Sequence, residues 1–143
     1  MKFRTLQSSD YSINYFKLLE QLTIVNVSSI TSNSFRTFVE SLSNSHQIIV
    51  VENDDKQIVA SGTIFIESKI IHGLGKVGHI EDIVVDKRIR GSGVGKALLL
   101  HLSNIAKTEN CYKVILNCKQ SNCAFYEKCG FEQHECEMTK RFN

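Results

Sequence analysis

One stretch limits what this chain can become more than any other: Gly78–Ala106, GHIEDIVVDKRIRGSGVGKALLLHLSNIA. Ile80, Ile83, Val84 and Val85 form a short apolar, β-branched run, the pattern of a buried strand. Asp86 to Arg90 breaks that run with charge, and Gly91, Gly93 and Gly95 follow at alternate positions. Val94, Leu98, Leu102 and Ile105 then recur at helical spacing and mark one apolar face. A glycine turn that opens a helix gathers unpaired backbone N–H groups and the positive end of the helix dipole at one point. Such a point binds phosphate.

Two familiar phosphate loops do not fit. A P-loop requires G-x-x-x-x-G-K-[ST]. Gly95-Lys96 is present, but Arg90 stands at the first glycine position and Ala97 at the magnesium-binding hydroxyl, which argues against nucleotide hydrolysis. A dinucleotide fingerprint requires G-x-G-x-x-G. Gly91 and Gly93 match it, but Lys96 occupies the third glycine position. The pattern that fits is R-x-x-G-x-G, Arg90 to Gly95. Set between an apolar strand and an amphipathic helix, it resembles the pyrophosphate loop of the GCN5-related N-acetyltransferases, which implies acetyl-CoA as co-substrate.

A chain of 143 residues with 42% hydrophobic residues suits one domain, 1–143, with a real core. A net charge of +2 gives no reason to expect nucleic acid or an acidic membrane surface as partner. Residues 1–16 hold no apolar core of signal-peptide length, and no apolar run approaches the roughly 20 residues of a membrane span. The five cysteines, Cys111, Cys118, Cys123, Cys129 and Cys136, include no C-x-x-C pair. Neither a metal site nor a disulfide framework is expected, and the thiols read as mostly reduced in a cytoplasmic protein.

Taken in order, Phe3 to Leu6 suits a first strand. Ser8, Ser9 or Asp10 offers a cap for a helix through Ile13, Phe16, Leu19 and Glu20. Leu22 to Ile30 reads as a loop, and Thr31, Ser32 or Asn33 as the cap of a second helix carrying Phe35, Phe38, Val39 and Leu42. Gln47–Glu52 and Gln57–Glu67 form a hairpin about the turn Asn53–Lys56. Ser68 to Lys76 is a loop. After the central strand and helix, Lys113–Cys118 predicts a fifth strand, and Ser121–Cys129 a short helix ending at the C-cap Gly130. Phe131–Arg141 predicts a final strand. The order β-α-α-β-β-β-α-β-α-β implies an α/β fold: a mixed, mostly antiparallel sheet with flanking helices. The GCN5-related N-acetyltransferase fold has this order.

Longer strings narrow the resemblance. Lys69–Val85 (KIIHGLGKVGHIEDIVV), Arg90–Leu99 (RGSGVGKALL), Asn110–Cys118 (NCYKVILNC) and Phe125–Phe131 (FYEKCGF) together resemble the glucosamine 6-phosphate N-acetyltransferase family. That family moves acetyl from acetyl-CoA to the 2-amino group of the sugar phosphate, on the route to UDP-N-acetylglucosamine. The chemistry needs a neutral amine, a polarised thioester carbonyl, a proton for the departing thiolate, and two substrates held together.

The resemblance assigns the roles. Glu81 and Asp82 position the sugar and its amine, with Glu81 the better candidate to take or relay the proton. Neighbours on a regular strand point to opposite faces, so both can serve one pocket only if a bulge re-aims one. Tyr126, whose phenol ordinarily titrates near about 10, donates to the leaving thiolate. Backbone N–H groups of Ile83, Val84 and Val85 take the pantetheine arm and thioester carbonyl. Arg90, Gly91, Ser92, Gly93, Val94, Gly95 and Lys96 take the pyrophosphate, with Asn117 and Tyr126 beside the coenzyme. The sugar phosphate is assigned Thr23, the loop Lys69, Ile70, Ile71 and His72, then Tyr112, Lys113 and Arg141. The last strand of this family packs in a homodimer, so Arg141 is expected to reach the partner's site.

One position departs from the family. Its fifth strand usually reads L-[D/E]-C, whereas this chain has Leu116-Asn117-Cys118. Asn117 accepts a hydrogen bond but cannot take a proton, so more of that work falls to Glu81, or the amine arrives neutral. Two other readings remain open: an acetyl-CoA-dependent acetyltransferase of another small amine, and a CoA-binding domain without turnover.

Overall fold

The computed structural model describes residues 1–142. Its elements are β1 (Lys2–Thr5), α1 (Ile13–Leu19), α2 (Ser32–Ser41), β2 (His46–Glu52), β3 (Ile58–Ser68), the single turn α3 (Ile71–Leu74), β4 (Lys76–Val85), α4 (Val94–Thr108), β5 (Cys111–Ile115) and α5 (Cys123–Glu127). The five strands lie in the order β1-β2-β3-β4-β5. The first three pairings are antiparallel, and α4 carries the chain across to a parallel β5. The sheet is therefore mixed and mostly antiparallel, as its pattern of strands and helices implies.

Local chemistry explains the helix starts. Ser12 caps α1 by accepting from the Tyr15 N–H, and Thr31 caps α2 in a reciprocal box with Ser34. Asp10 does not cap α1. Its carboxylate takes the Arg4 guanidinium at 2.8 and 2.9 Å and the Gln7 N–H at 2.8 Å. Arg4 also holds Glu52, which ties β1 to β2.

Two apolar layers sandwich the sheet. On one face Leu98, Leu99 and Leu102 of α4 pack on Ile49, Ile64 and Ile80, all essentially solvent-free. Each such side chain contributes on the order of 2 kcal/mol by leaving water. Gly78 lets α4 approach closely: a Cβ there would stand 3.0 Å from the Ala106 Cβ. On the other face Tyr15, Phe16 and Phe35 of α1 and α2 pack with Leu6 and Val50.

The carboxyl-terminal expectation fails. The strand expected over Phe131–Arg141 does not form, and Glu132–Phe142 is exposed chain outside any strand. A strand needs a ladder partner, and five of the residues from Glu132 to Arg141 are charged, which opposes burial along a sheet edge. The fifth strand is also displaced: it ends at Ile115 rather than Cys118, leaving Leu116, Asn117 and Cys118 beyond the ladder.

Candidate active site

The centre of the site is a break in β4. Ser61 pairs with Val84 and Thr63 with Glu81, so β4 spends one more residue than β3 between the same two rungs. Asp82, at φ 52°, is the residue that absorbs it. Ile80 and Ile83 both pack against the α4 layer. Three residues apart on a regular strand they would face opposite ways. The bulge removes that conflict and leaves Glu81 and Asp82 together outside the core, both exposed. It is the re-aiming on which a shared role for the two carboxylates depends.

The Glu81 carboxyl responds to its surroundings. Glu81 has its pKa raised, first by partial burial and then by the Asp82 charge, with Glu137 of the terminal segment adding to it and His79 opposing. Asp82 in turn contributes to raising the Tyr15 phenol, which burial dominates. Tyr15 Oη lies 3.4 Å from the Ser61 hydroxyl, on the β3 rung beside the bulge.

β4 also parts from β5 before it reaches the bulge. Their parallel pairing runs from Lys76↔Cys111 to His79↔Ile115 and stops there. The outer edge of Ile80–Val85 consequently has no strand partner among the described residues. Backbone groups on such an edge lack a ladder partner, and an extended ligand could pair with them.

At the end of that edge stands the glycine turn. Gly91 and Gly93 have φ of 85° and 89°, a left-handed geometry that favours glycine. Gly93 caps α4 with no side-chain hydrogen bond, and the first intrahelical bond runs from the Ala97 N–H to the Gly93 carbonyl at 3.0 Å. The N–H groups of Val94, Gly95 and Lys96 therefore have no intrahelical acceptor. Ser92 is spent on the Ile89 carbonyl at 2.6 Å. Arg90 Nε donates to the Val85 carbonyl at 3.0 Å, which tethers the turn to the strand end. Lys96 is exposed. Next to the turn, Arg88 clasps buried Asp86 at 2.6 Å and holds that carboxyl at about 2.

Tyr126 of α5 packs against the same core layer as Ile83 and Val85 of β4. Its ring packs near Phe125 and Phe131, with centroids at 5.1 and 6.0 Å. Burial, then Cys118 and Cys129, raises its pKa, so the phenol keeps its proton at neutral pH. Phe125 presses on the first turn of α4, where a Cβ on Gly95 would stand 3.2 Å from its Cζ. This contact carries α5 to the glycine turn. Asn117 is exposed just beyond the end of β5.

The residues assigned to the sugar phosphate do not all join this group. His72 stacks on Tyr112 with centroids 4.5 Å apart, and Lys113 Nζ lies 5.9 Å from the same ring. Both His72 and Tyr112 lie beside Gly75, six residues before Glu81, which is about 20 Å along a strand. Ile70 and Ile71 are exposed at the same tip, and Lys69 is engaged by Glu67 at 2.9 Å. Thr23 is exposed on the loop after α1, and Arg141 on the terminal segment. No group of three or more metal-ligating side chains gathers among the described residues.

Two residues of consequence escaped the sequence reading. Gly62 lies opposite the bulge, where a Cβ would stand 2.5 Å from the Ile83 Cδ1. A glycine inside an otherwise apolar strand signals such a close approach. Glu137 comes within electrostatic reach of Glu81, and nothing local in its segment foretells that.

Comparison with known proteins agrees with this fold. Residues 9–131 match the model of the acetyltransferase (GNAT) family. A glucosamine 6-phosphate N-acetyltransferase of Arabidopsis thaliana is 42% identical, covering 99% of this chain and 97% of that one. One of Candida albicans is 40% identical, covering 98% and 95%. The crystal structure of glucosamine-6-phosphate N-acetyltransferase from Arabidopsis thaliana superposes with a TM-score of 0.93 at 40% identity, over 99% and 98% of the two chains.

Proposed function

The chain belongs to the acetyltransferase (GNAT) family, within its glucosamine 6-phosphate N-acetyltransferase branch, and from that premise we propose its reaction: acetyl passes from acetyl-CoA to the 2-amino group of glucosamine 6-phosphate, by direct attack of the amine. The observation that carries this reading is a single juxtaposition. The unpaired edge of β4 runs from two carboxylates at its bulge to an uncapped helix start.

The donor set suits acetyl-CoA. The free N–H groups of Val94 to Lys96, with Gly91 to Gly93 folded around them and Arg90 and Lys96 nearby, offer a diphosphate both hydrogen bonds and positive charge. The edge N–H groups of Ile83 to Val85 offer hydrogen bonds to an amide-containing arm and to a thioester carbonyl that gains negative charge. Bound there, acetyl-CoA supplies an activated acyl group.

The remaining work falls to side chains. Glu81 takes the proton of the amine, directly or through water, and its raised pKa makes it a stronger base than an ordinary carboxylate. Asp82 orients the amine and keeps the Glu81 pKa up. Tyr126, protonated at neutral pH, donates to the leaving thiolate. Asn117 aligns the acceptor through hydrogen bonds alone.

The sugar phosphate requires cations, and a second copy supplies the missing one. We read the enzyme as a homodimer in which Arg141 of each chain reaches the other's site. Support comes from the exposed segment 132–142 and from the apolar tip formed by Ile70, Ile71 and Leu74, which are 86%, 63% and 72% exposed. Apolar surface of this kind marks an interface.

Thiol release from acetyl-CoA tests the activity, with glucosamine 6-phosphate, glucosamine and spermidine as acceptors. The expected order puts the sugar phosphate first by a wide margin. Preference for spermidine would assign another amine, and no release with any acceptor would leave a CoA-binding domain.

A further inference from the structure

The approach to Tyr126 carries two thiols that the reaction does not use. Cys118 Sγ lies 3.8 Å from Cys123 Sγ. Among the described residues no other two cysteines come within sulfur contact. Cys118 is exposed and Cys123 half-buried, so a small oxidant can reach them. The residues between them form one tight turn, closed by the Asn122 N–H on the Lys119 carbonyl at 2.8 Å. No strand ladder holds this segment. A disulfide is about 2.05 Å long, so the sulfurs must close by a little under about 2 Å, which side-chain rotation with a small shift of the turn can provide.

We propose that Cys118 and Cys123 form a reversible disulfide that displaces Asn117 and Tyr126 from the acetyl site. The positions connect them: Asn117 immediately precedes one cysteine, and Tyr126 follows the other by one turn of α5. Hydrogen peroxide is the oxidant. One thiolate attacks a peroxide oxygen, giving a sulfenic acid and, after protonation, water. The second thiol displaces the sulfenic oxygen as a second water and forms the S–S bond. Two thiols lose two electrons and two protons, and one peroxide becomes two waters. A dithiol returns both electrons and protons and restores the pair. Cytosolic disulfides of this transient kind are the regulatory ones.

The test uses the full chain treated with peroxide, then alkylated and digested with trypsin. Cleavage after Lys113, Lys119 and Lys128 separates residues 114–119 from residues 120–128. The cross-linked form keeps them as one species, two hydrogens lighter than their sum, which splits on reduction. Turnover is expected to fall by up to about a hundredfold, the cost of misplacing a reacting group by about 1 Å, and to return with dithiothreitol. Cys123→Ala is expected to retain turnover before and after peroxide. The proposal is overturned if the two peptides stay separate or carry only sulfinic and sulfonic acids, if links form only between molecules, or if the internal link forms with turnover unchanged. Equal peroxide inactivation of Cys123→Ala also overturns it. The turnover arm rests on the proposed acetyl transfer, whereas the cross-link is read by mass alone and stands or falls separately.

Discussion

Gly62 offers a direct test of how the bulge serves the site. Replacing it with Val puts a Cβ 2.5 Å from the Ile83 Cδ1, 3.1 Å from the Leu102 Cδ1 and 3.4 Å from a Leu98 methyl. The Ile83 terminus can swing away, at about 0.5–1.5 kcal/mol for leaving its rotamer well. Leu98 and Leu102 are fully enclosed and cannot, so the two added γ-methyls overpack the layer, at roughly 1–3 kcal/mol. Restricting the unfolded chain returns about 0.4–1 kcal/mol. The net expectation is a loss of about 2 kcal/mol, read as a fall in Tm of about 8 °C at roughly 4 °C per kcal/mol for a chain of this size. Gly62→Ala lacks the two γ-methyls and should lose only about 0.3 kcal/mol, the rotamer cost less the unfolded-chain return. Because the strain is relieved through Ile83, the KM for acetyl-CoA should rise at least several-fold in Gly62→Val, measured well below its Tm. A Tm equal to wild type would refute the packing argument. A lowered Tm with unchanged KM would break the link between Gly62 and the donor edge of β4.

Other perturbations read the side chains. Glu81→Gln should lower kcat by about 10²–10⁴ while leaving the acetyl-CoA KM near wild type. The Glu81 pKa is raised, so the acidic limb of kcat/KM should lie above that of an ordinary glutamate, and Asp82→Asn should move it down by removing a like charge; an unmoved limb would exclude Glu81 as the base. Tyr126→Phe should cost about tenfold or more in kcat and remove an alkaline limb lying above the ordinary tyrosine range, since burial raises this phenol. Asn117→Asp should raise turnover or shift the acidic limb, and an identical pH–rate profile would leave that side chain without a role. Mixed dimers of Glu81→Gln and Arg141→Ala chains should recover part of the activity that each homodimer lacks, and no recovery would count against Arg141 acting across the interface.

Much of this protein was legible because its signals are local. The alternation and branching around Ile80 to Val85, the glycines from Gly91 to Gly95 and the helical spacing from Val94 onward each depend on neighbours in the chain. Strand, turn and helix follow from those neighbours alone, and the helix start brings its free N–H groups with it. The motif strings added the reaction class for the same reason, since they record which side chains accompany that turn.

What escaped local reading depends on distant parts of the chain. That Glu81 and Asp82 both lie outside the core is decided by the register between β3 and β4, through the approach of Ile83 to Gly62 some twenty residues earlier. β5 ends at Ile115 because its ladder with β4 stops at His79, so the expected strand residues Leu116 to Cys118 depend on a partner strand and not on their own sequence. The segment Phe131–Arg141 has extended-chain character in sequence, but a strand exists only where a second one offers its hydrogen bonds. The amino-acid order alone determined the central strand, the glycine turn and the helix after it, because short-range sterics and hydrogen bonding specify them, and its motif strings carried the resemblance that implies the reaction class. Only the tertiary structure decided that Glu81 and Asp82 both lie outside the core and which edge of β4 stays unpaired, because those outcomes are set by contacts between residues far apart in the chain.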